Sequence, residues 1–155
     1  MSIRPALTED LETLTDLGIW SKATWPYTDD QVAVFREELT WSPELFSSRD
    51  VFVSTEANRI TGYVSLCRVD TSTVDLERLF VEPDCFGLGI GRRLFEHAWR
   101  CAADEVYKQL TVMSAPNAAG FYDRVGCRKV ADIPSSIPSR SIPTFEYSLQ
   151  RKARE

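Results

Sequence analysis

At 155 residues and 17.6 kDa the chain has the size of a single domain, and 43% hydrophobic with 11% aromatic residues exclude an intrinsically disordered one. A net charge of −5 argues against a nucleic-acid binder. Four cysteines with no C-x-x-C pair and a single histidine, His97, exclude an evident zinc site or secreted disulfide scaffold, so no metal is expected and reduced cysteines in the cytoplasm are.

Ile3 to Leu7 reads as a short strand, with Thr8 as the N-cap of a helix whose apolar face carries Leu11, Leu14, Leu17 and Gly18. Thr28-x-x-Gln31 has the form of a capping box for a second helix, with Val32, Phe35 and Leu39 as its buried stripe. Ser42-Pro43 starts one more helical turn. Asp50 to Thr55 and Ile60 to Arg68 read as strands around a polar turn, and Thr73 to Val81 as a third. A helix from Gly89 to about Ala103 has Leu94, Phe95, Ala98, Trp99 and Ala102 on one face. Leu110 to Met113 is a strand, Ala118 to Val125 a helix and Cys127 to Ala131 a strand. Ile133 to Pro143, rich in Pro and Ser, reads as a loop, Thr144 to Leu149 as a last strand, and Arg151 to Glu155 as a solvated tail. The order is that of one α/β (α+β) domain over 1–155, with a mixed central sheet flanked by helices. Met1 to Asp10 lacks the apolar core of a signal peptide, and no run reaches transmembrane length.

The most informative segment is Phe80-Val81-Glu82-Pro83-Asp84-Cys85-Phe86-Gly87-Leu88-Gly89-Ile90-Gly91-Arg92-Arg93. A strand runs into a loop with glycine at alternate positions, and the loop opens into a helix. Such glycines permit positive φ and keep side chains away from a ligand, while amides converge at the positive end of the helix dipole. Arg92 and Arg93 stand where cations are unfavourable unless an anion is bound. A dinucleotide fingerprint would need glycine at 92, and a Walker A loop would need Gly-Lys-Ser/Thr; neither is present.

The remaining pattern resembles the acetyl-CoA pyrophosphate loop of the GNAT acyltransferase superfamily, Q/R-x-x-G-x-G/A, matched from Phe86 to Gly91. Phe86 departs from it, standing where the family has Gln or Arg. A second segment, Asn117-Ala118-Ala119-Gly120-Phe121-Tyr122-Asp123-Arg124-Val125-Gly126-Cys127, resembles the family's N-A-x-x-F-Y-x-x-x-G-F, with Cys127 in place of Phe. The resemblance spans about Val51 to Leu149 and implies the GNAT fold. It also implies an N-acetyltransferase moving the acetyl group of acetyl-CoA to a primary amine by direct attack, and a homodimer.

Acyl transfer needs an amine that loses its proton, a donor to the thioester carbonyl, and a proton for the departing thiolate. The resemblance makes Tyr122 the acid; the alternative is packing beside Phe121. Asp75 and Glu77, two apart on one strand and so on one face, are the candidate bases. Either could instead be a solvated residue or pair with Arg78 or Arg68, and an amine can lose its proton to water. The resemblance assigns the backbone of Leu79, Phe80 and Val81 to the pantetheine arm, the amides of Leu88, Gly89, Ile90, Gly91 and Arg92 to the pyrophosphate, and Phe86 and Gly87 to the same cofactor loop. Asn117 is either an N-cap or a pantetheine contact. His97 and Cys85 have no assigned role. For the acceptor, the first helices and the last hairpin supply Trp20, Trp25, Tyr27, Asp29, Asp30, Trp41 and Arg140. An aromatic wall with two acids would suit a cationic amine, while the same residues also read as core and helix start. No nucleic-acid or membrane partner is expected. The alternative function is a non-catalytic acyl-CoA-binding module on the same fold.

Overall fold

The computed structural model describes residues 1–135 and 141–149. The elements run β1 (Ser2–Pro5), a 3-10 turn (Thr8–Asp10), α1 (Leu11–Ala23), α2 (Asp29–Leu39), α3 (Pro43–Ser47), β2 (Asp50–Glu56), β3 (Arg59–Arg68), β4 (Thr73–Val81), a 3-10 turn (Pro83–Cys85), α4 (Ile90–Asp104), β5 (Gln109–Met113), a 3-10 turn (Pro116–Ala118), α5 (Ala119–Arg124), β6 (Arg128–Pro134) and β7 (Ser141–Ser148). The seven strands hydrogen-bond in the order β1-β2-β3-β4-β5-β7-β6. The β4–β5 ladder is parallel and β1–β2, β2–β3, β5–β7 and β6–β7 are antiparallel, so the sheet is mixed, as the sequence implies. Parallel neighbours require a crossover, and α4 supplies it.

The chain forms two compact units, Met1–Leu66 with Arg78–Ala98, and Cys67–Glu77 with Trp99–Glu155. In the first, Leu14 and Leu17 of α1 pack with Trp41, Val51, Val53 and Tyr63. The capping box of α2 forms as expected: Gln31 N donates to Thr28 Oγ1 (3.2 Å) and Thr28 N to Gln31 Oε1 (3.0 Å). Ser42 caps α3 by accepting from Leu45 N at 3.1 Å. At α1 the expected cap is displaced. Thr8 lies inside the 3-10 turn, because the Asp10 carboxylate accepts Leu7 N at 2.7 Å and Arg4 Nη1 at 2.9 Å. That pairing holds the Asp10 carboxyl below the usual carboxylate range, through the Arg4 hydrogen bond first. The β2–β3 hairpin turns on Ala57 and Asn58, both at positive φ (50° and 66°), the conformation a two-residue hairpin needs.

In the second unit Val74, Leu76, Leu110, Val112, Phe145 and Tyr147 are buried. Ile133 to Pro143 is not simply a loop, since β6 continues to Pro134 and β7 begins at Ser141, with Ile133 opposite Ile142. The β5 ladder starts only at Thr144, so Pro143 needs no N–H there, and its carbonyl accepts Ser114 N at 2.9 Å. The expected tail at 151–155 and Arg140 lie outside the described residues. Val32 and Trp99, expected on buried faces, are only half-buried.

Candidate functional site

The glycine loop belongs to the first unit. Its approach is fixed by hydrogen bonds: Glu82 N donates to Thr61 O (2.8 Å), Cys85 N to Glu82 O (2.9 Å) and Phe86 N to Pro83 O (3.4 Å). Beyond Phe86 the pattern stops. Among the described residues, the amides of Gly87, Leu88, Gly89, Ile90, Gly91 and Arg92 donate to no protein acceptor; helical bonding resumes with Arg93 N to Gly89 O at 3.2 Å. Gly87 and Gly89 both have φ of +81°, and a Cβ on either would meet nothing within 4 Å. These glycines are therefore required by backbone conformation, and the space beside them is open. Phe86, Gly87, Leu88 and Gly89 are exposed.

The two arginines differ. Arg92 Nε donates to Glu96 Oε1 at 3.3 Å, an i,i+4 pair, whereas Arg93 is exposed with no ion-pair partner among the described residues. The first turn of α4 contains no acid, so the helix dipole and Arg93 both favour an anion there. A contact not foreseen from the sequence organises the approach. Arg59, at the start of β3, reaches both Asp84 oxygens (2.8 and 2.9 Å) and Glu82 Oε2 (3.2 Å), which clamps the hairpin to the turn before the loop. The partners are 25 residues apart, and no local pattern signals them. Leu79, Phe80 and Val81 are half-buried. Phe80 packs on Tyr63 with ring centroids 5.7 Å apart, and Phe80 O would lie 2.9 Å from a Cβ on Gly62. Cys85 Sγ donates to Asp84 Oδ1 at 3.3 Å, and burial and that carboxylate push its thiol pKa up, the opposite of an activated nucleophile. His97 packs edge-on to Phe52 at 4.7 Å, with burial lowering its pKa.

The other candidates belong to the second unit. Tyr122 of α5 is 5% exposed, against Phe121 (5.1 Å) and Phe145 (5.8 Å). Its phenol is held far above the ordinary range, by burial first and then by the fields of Cys127 and Asp75. The structure thus brings Tyr122 and Asp75 into electrostatic reach. Asp75 Oδ1 also accepts from Thr111 Oγ1 at 2.7 Å, its cross-strand neighbour on β5. Glu77 is half-buried two residues on. Arg78 donates to Leu39 O (3.2 Å) and Glu38 O (2.7 Å) at the C-terminus of α2. Arg68 approaches Glu105 at 3.9 Å. Asn117 is exposed inside a 3-10 turn, and Ala118, not Asn117, is the N-cap residue of α5. A cleft of about 510 Å³ lined by Lys108, Gln109, Gly126, Arg128, Glu146, Tyr147 and Ser148 includes none of the expected site residues.

The residues offered for an acceptor wall, which also read as core and helix start, differ in exposure. Trp20 and Trp25 are exposed, Trp41 is core, and Asp29 and Asp30 occupy the exposed first turn of α2, where they complement the helix dipole. Tyr27 stacks edge-on to Phe35 at 4.6 Å. Among the described residues, no group of three or more His, Cys, Asp or Glu side chains could hold a metal ion, and no helix is long and apolar enough to cross a membrane. None of the four cysteines forms a disulfide among the described residues.

A seven-stranded mixed sheet, with a strand feeding an amide-rich loop at a helix start, defines an acyltransferase fold. The acetyltransferase (GNAT) domain family matches residues 22–135, and the chain belongs to that family; it is an acyltransferase. The fold resembles a GCN5-related N-acetyltransferase from Rhodopseudomonas palustris (22% identity, 95% of this chain and 94% of that one, TM-score 0.81). It also resembles the PaiA N-acetyltransferase of Thermoplasma acidophilum, solved with coenzyme A (19% identity, 96% and 99%, TM-score 0.79). A third similar structure is a GNAT family acetyltransferase from Elizabethkingia anophelis with acetyl-CoA bound (16% identity, 95% and 97%, TM-score 0.68). No curated protein matches the chain in sequence.

Proposed function

We propose that this acyltransferase is an N-acetyltransferase that moves the acetyl group of acetyl-CoA to a primary amine in a ternary complex. The observation that carries the cosubstrate is the run of amides from Gly87 to Arg92 that, among the described residues, have no acceptor, beside Arg93, which has no ion-pair partner among them, at the start of α4. These donors and the helix dipole suit a pyrophosphate, and they do not depend on the side chain at Phe86. The half-buried backbone of Leu79, Phe80 and Val81 takes the pantetheine arm, and Asn117 is a further contact for it.

The amine nitrogen attacks the thioester carbonyl, the C–S bond breaks, and the thiolate takes the Tyr122 proton. The proton lost by the amine restores the balance. A phenol held far above its ordinary pKa remains a donor at every physiological pH. Asp75, engaged with Thr111, favours the protonated Tyr122 through its charge, and Asp75 and Glu77 both stand as candidates for the general base. The reading extends to a cytoplasmic homodimer, for which sedimentation at micromolar concentration is the test of assembly.

Calorimetry with CoA tests the loop, and CoA release from acetyl-CoA against an amine panel tests transfer. Wild-type protein that binds no CoA, or binds it and acetylates no amine, overturns the reading.

A further inference from the structure

Lys22, in the last turn of α1, carries a charge that the proposed reaction does not use. Its ammonium lies 3.9 Å from the Phe35 ring centroid. Among the described residues Lys22 has no hydrogen-bond acceptor and no ion pair, although an ammonium offers three N–H donors and the side chain is half-buried. Burial lowers its pKa, Glu38 opposes that shift, and Arg78 adds to it to a smaller degree. The N–H donors of a half-buried ammonium with no acceptor among the described residues are open to a ligand oxygen.

The place of this charge is informative. Gly18 lies four residues earlier on α1, so Lys22 continues the same helical face one turn on. A Cβ on Gly18 would meet Tyr63 Oη at 3.2 Å and the Phe80 ring at 3.5 Å. Arg78 precedes Phe80 by two residues on β4, which puts both on one strand face about 6–7 Å apart. Its guanidinium lies over Trp41, 4.6 Å from the ring centroid, and satisfies the last carbonyls of α2. Lys22 and Arg78 therefore flank Phe80, the strand residue to which the reading above assigns the acyl arm.

We propose that the Lys22 ammonium anchors a carboxylate of the acceptor, so that the acceptor is an amino carboxylate such as a free amino acid or short peptide, rather than a polyamine or other polycation. The inference rests on the acetyl-CoA reading, and its test separates the two. CoA release would be followed with acetyl-CoA and matched pairs of acceptors, each amino acid beside its decarboxylated amine. The wild-type protein should favour the carboxylate member by about tenfold or more in kcat/KM, the range of one charge-assisted hydrogen bond. Lys22→Met should erase most of that preference, raising KM for the amino acid more than it lowers kcat, and Lys22→Arg should restore part of it. Lys129→Met, which alters an exposed lysine paired with Asp132, serves as the control and should change nothing. Equal or faster turnover of the decarboxylated amines, or an unchanged KM in Lys22→Met, overturns the inference while leaving the acetyltransferase intact. Transfer to no amino carboxylate by a protein that binds CoA also overturns it. Failure of the wild-type protein to bind CoA overturns the underlying reading itself.

Discussion

Residues 86–89 stand open to solvent, with the amides from Gly87 to Arg92 unbonded among the described residues, while Tyr122 is 5% exposed among Phe121, Phe145, Asp75 and Cys127. Both segments were marked in the sequence by short motifs, but under the proposed function they would work by opposite means. The loop would act through backbone donors left unsatisfied, at the cost of conformations only glycine adopts readily. The tyrosine would act from a buried position, which raises its phenol pKa and packs its ring. A substitution in the first should therefore be felt in ligand affinity, and one in the second in the chemical step.

The largest expected effect lies at the tyrosine. Tyr122→Phe keeps the ring against Phe121 and Phe145 and removes only the proton donor. Turnover on the true acceptor should fall by about 10²–10⁴-fold, toward the lower figure because water can substitute, with CoA affinity unchanged. Wild-type turnover in the variant would make Tyr122 a packing residue. The same burial has a pH signature. The folded phenol pKa is raised above the unfolded value of about 10, so the associated stability is present below that pH and is lost as pH rises beyond it. Alkaline unfolding followed by circular dichroism should be shallower above about pH 10 in Tyr122→Phe.

Gly89→Val should come next. Valine at φ of +81° is strained by about 1–3 kcal/mol although its Cβ has open space, so the loop must rearrange and scatter its amides. CoA affinity should fall by about tenfold or more while the melting temperature changes little, because the strain is released locally. Unchanged affinity in calorimetry would remove the amides from the binding account and erase the contrast with Tyr122.

Gly62→Ala probes what lies beneath the loop. Its Cβ would sit 2.9 Å from Phe80 O, 3.0 Å from Leu94 Cδ1 and 3.2 Å from Ser54 Oγ, so strand backbone has to move. A stability loss of about 1–3 kcal/mol in urea unfolding is expected, as for an overpacked core. Since Phe80 O belongs to the segment assigned to pantetheine, CoA affinity should fall with it. A variant as stable as wild type would show that β3 and β4 separate at little cost.

Much of this was legible because the signals are local. The α2 capping box, the Ser42 cap, the full extent of β4 and the strand-loop-helix of the glycine segment all follow from residues within a few positions of one another. What the sequence obscured depends on distant partners. Thr8 looked like a cap until Asp10 was drawn to Arg4, and Pro143 looked like loop although its place in β7 requires no N–H. Asp29 and Asp30 read either as part of an acceptor wall or as a helix start, and they occupy the first turn of α2. Lys22 carried no signal at all, since its burial depends on Phe35, a residue of the next helix.

The smallest effect tests how the loop is assembled. Arg59 joins the β2–β3 hairpin to Asp84 and Glu82 just before the glycines, and the pairs with Asp84 are exposed. Exposed pairs contribute little on average, so the clamp is not expected to stabilise the fold measurably. Its effect would be to narrow the range of conformations from which the loop binds an anion, which reduces the ordering cost of binding. Arg59→Ala should weaken CoA binding by less than about fivefold at low salt, and the difference should shrink as ionic strength rises and screens the wild-type pair. Arg59→Lys, a single point charge in place of a two-pronged donor, should recover only part of the loss. Calorimetry at two salt concentrations decides the matter. A loss that persists undiminished in high salt would mean that Arg59 itself contacts the ligand, and identical affinities at low salt would mean that Gly87 and Gly89 set the loop conformation without help from the hairpin.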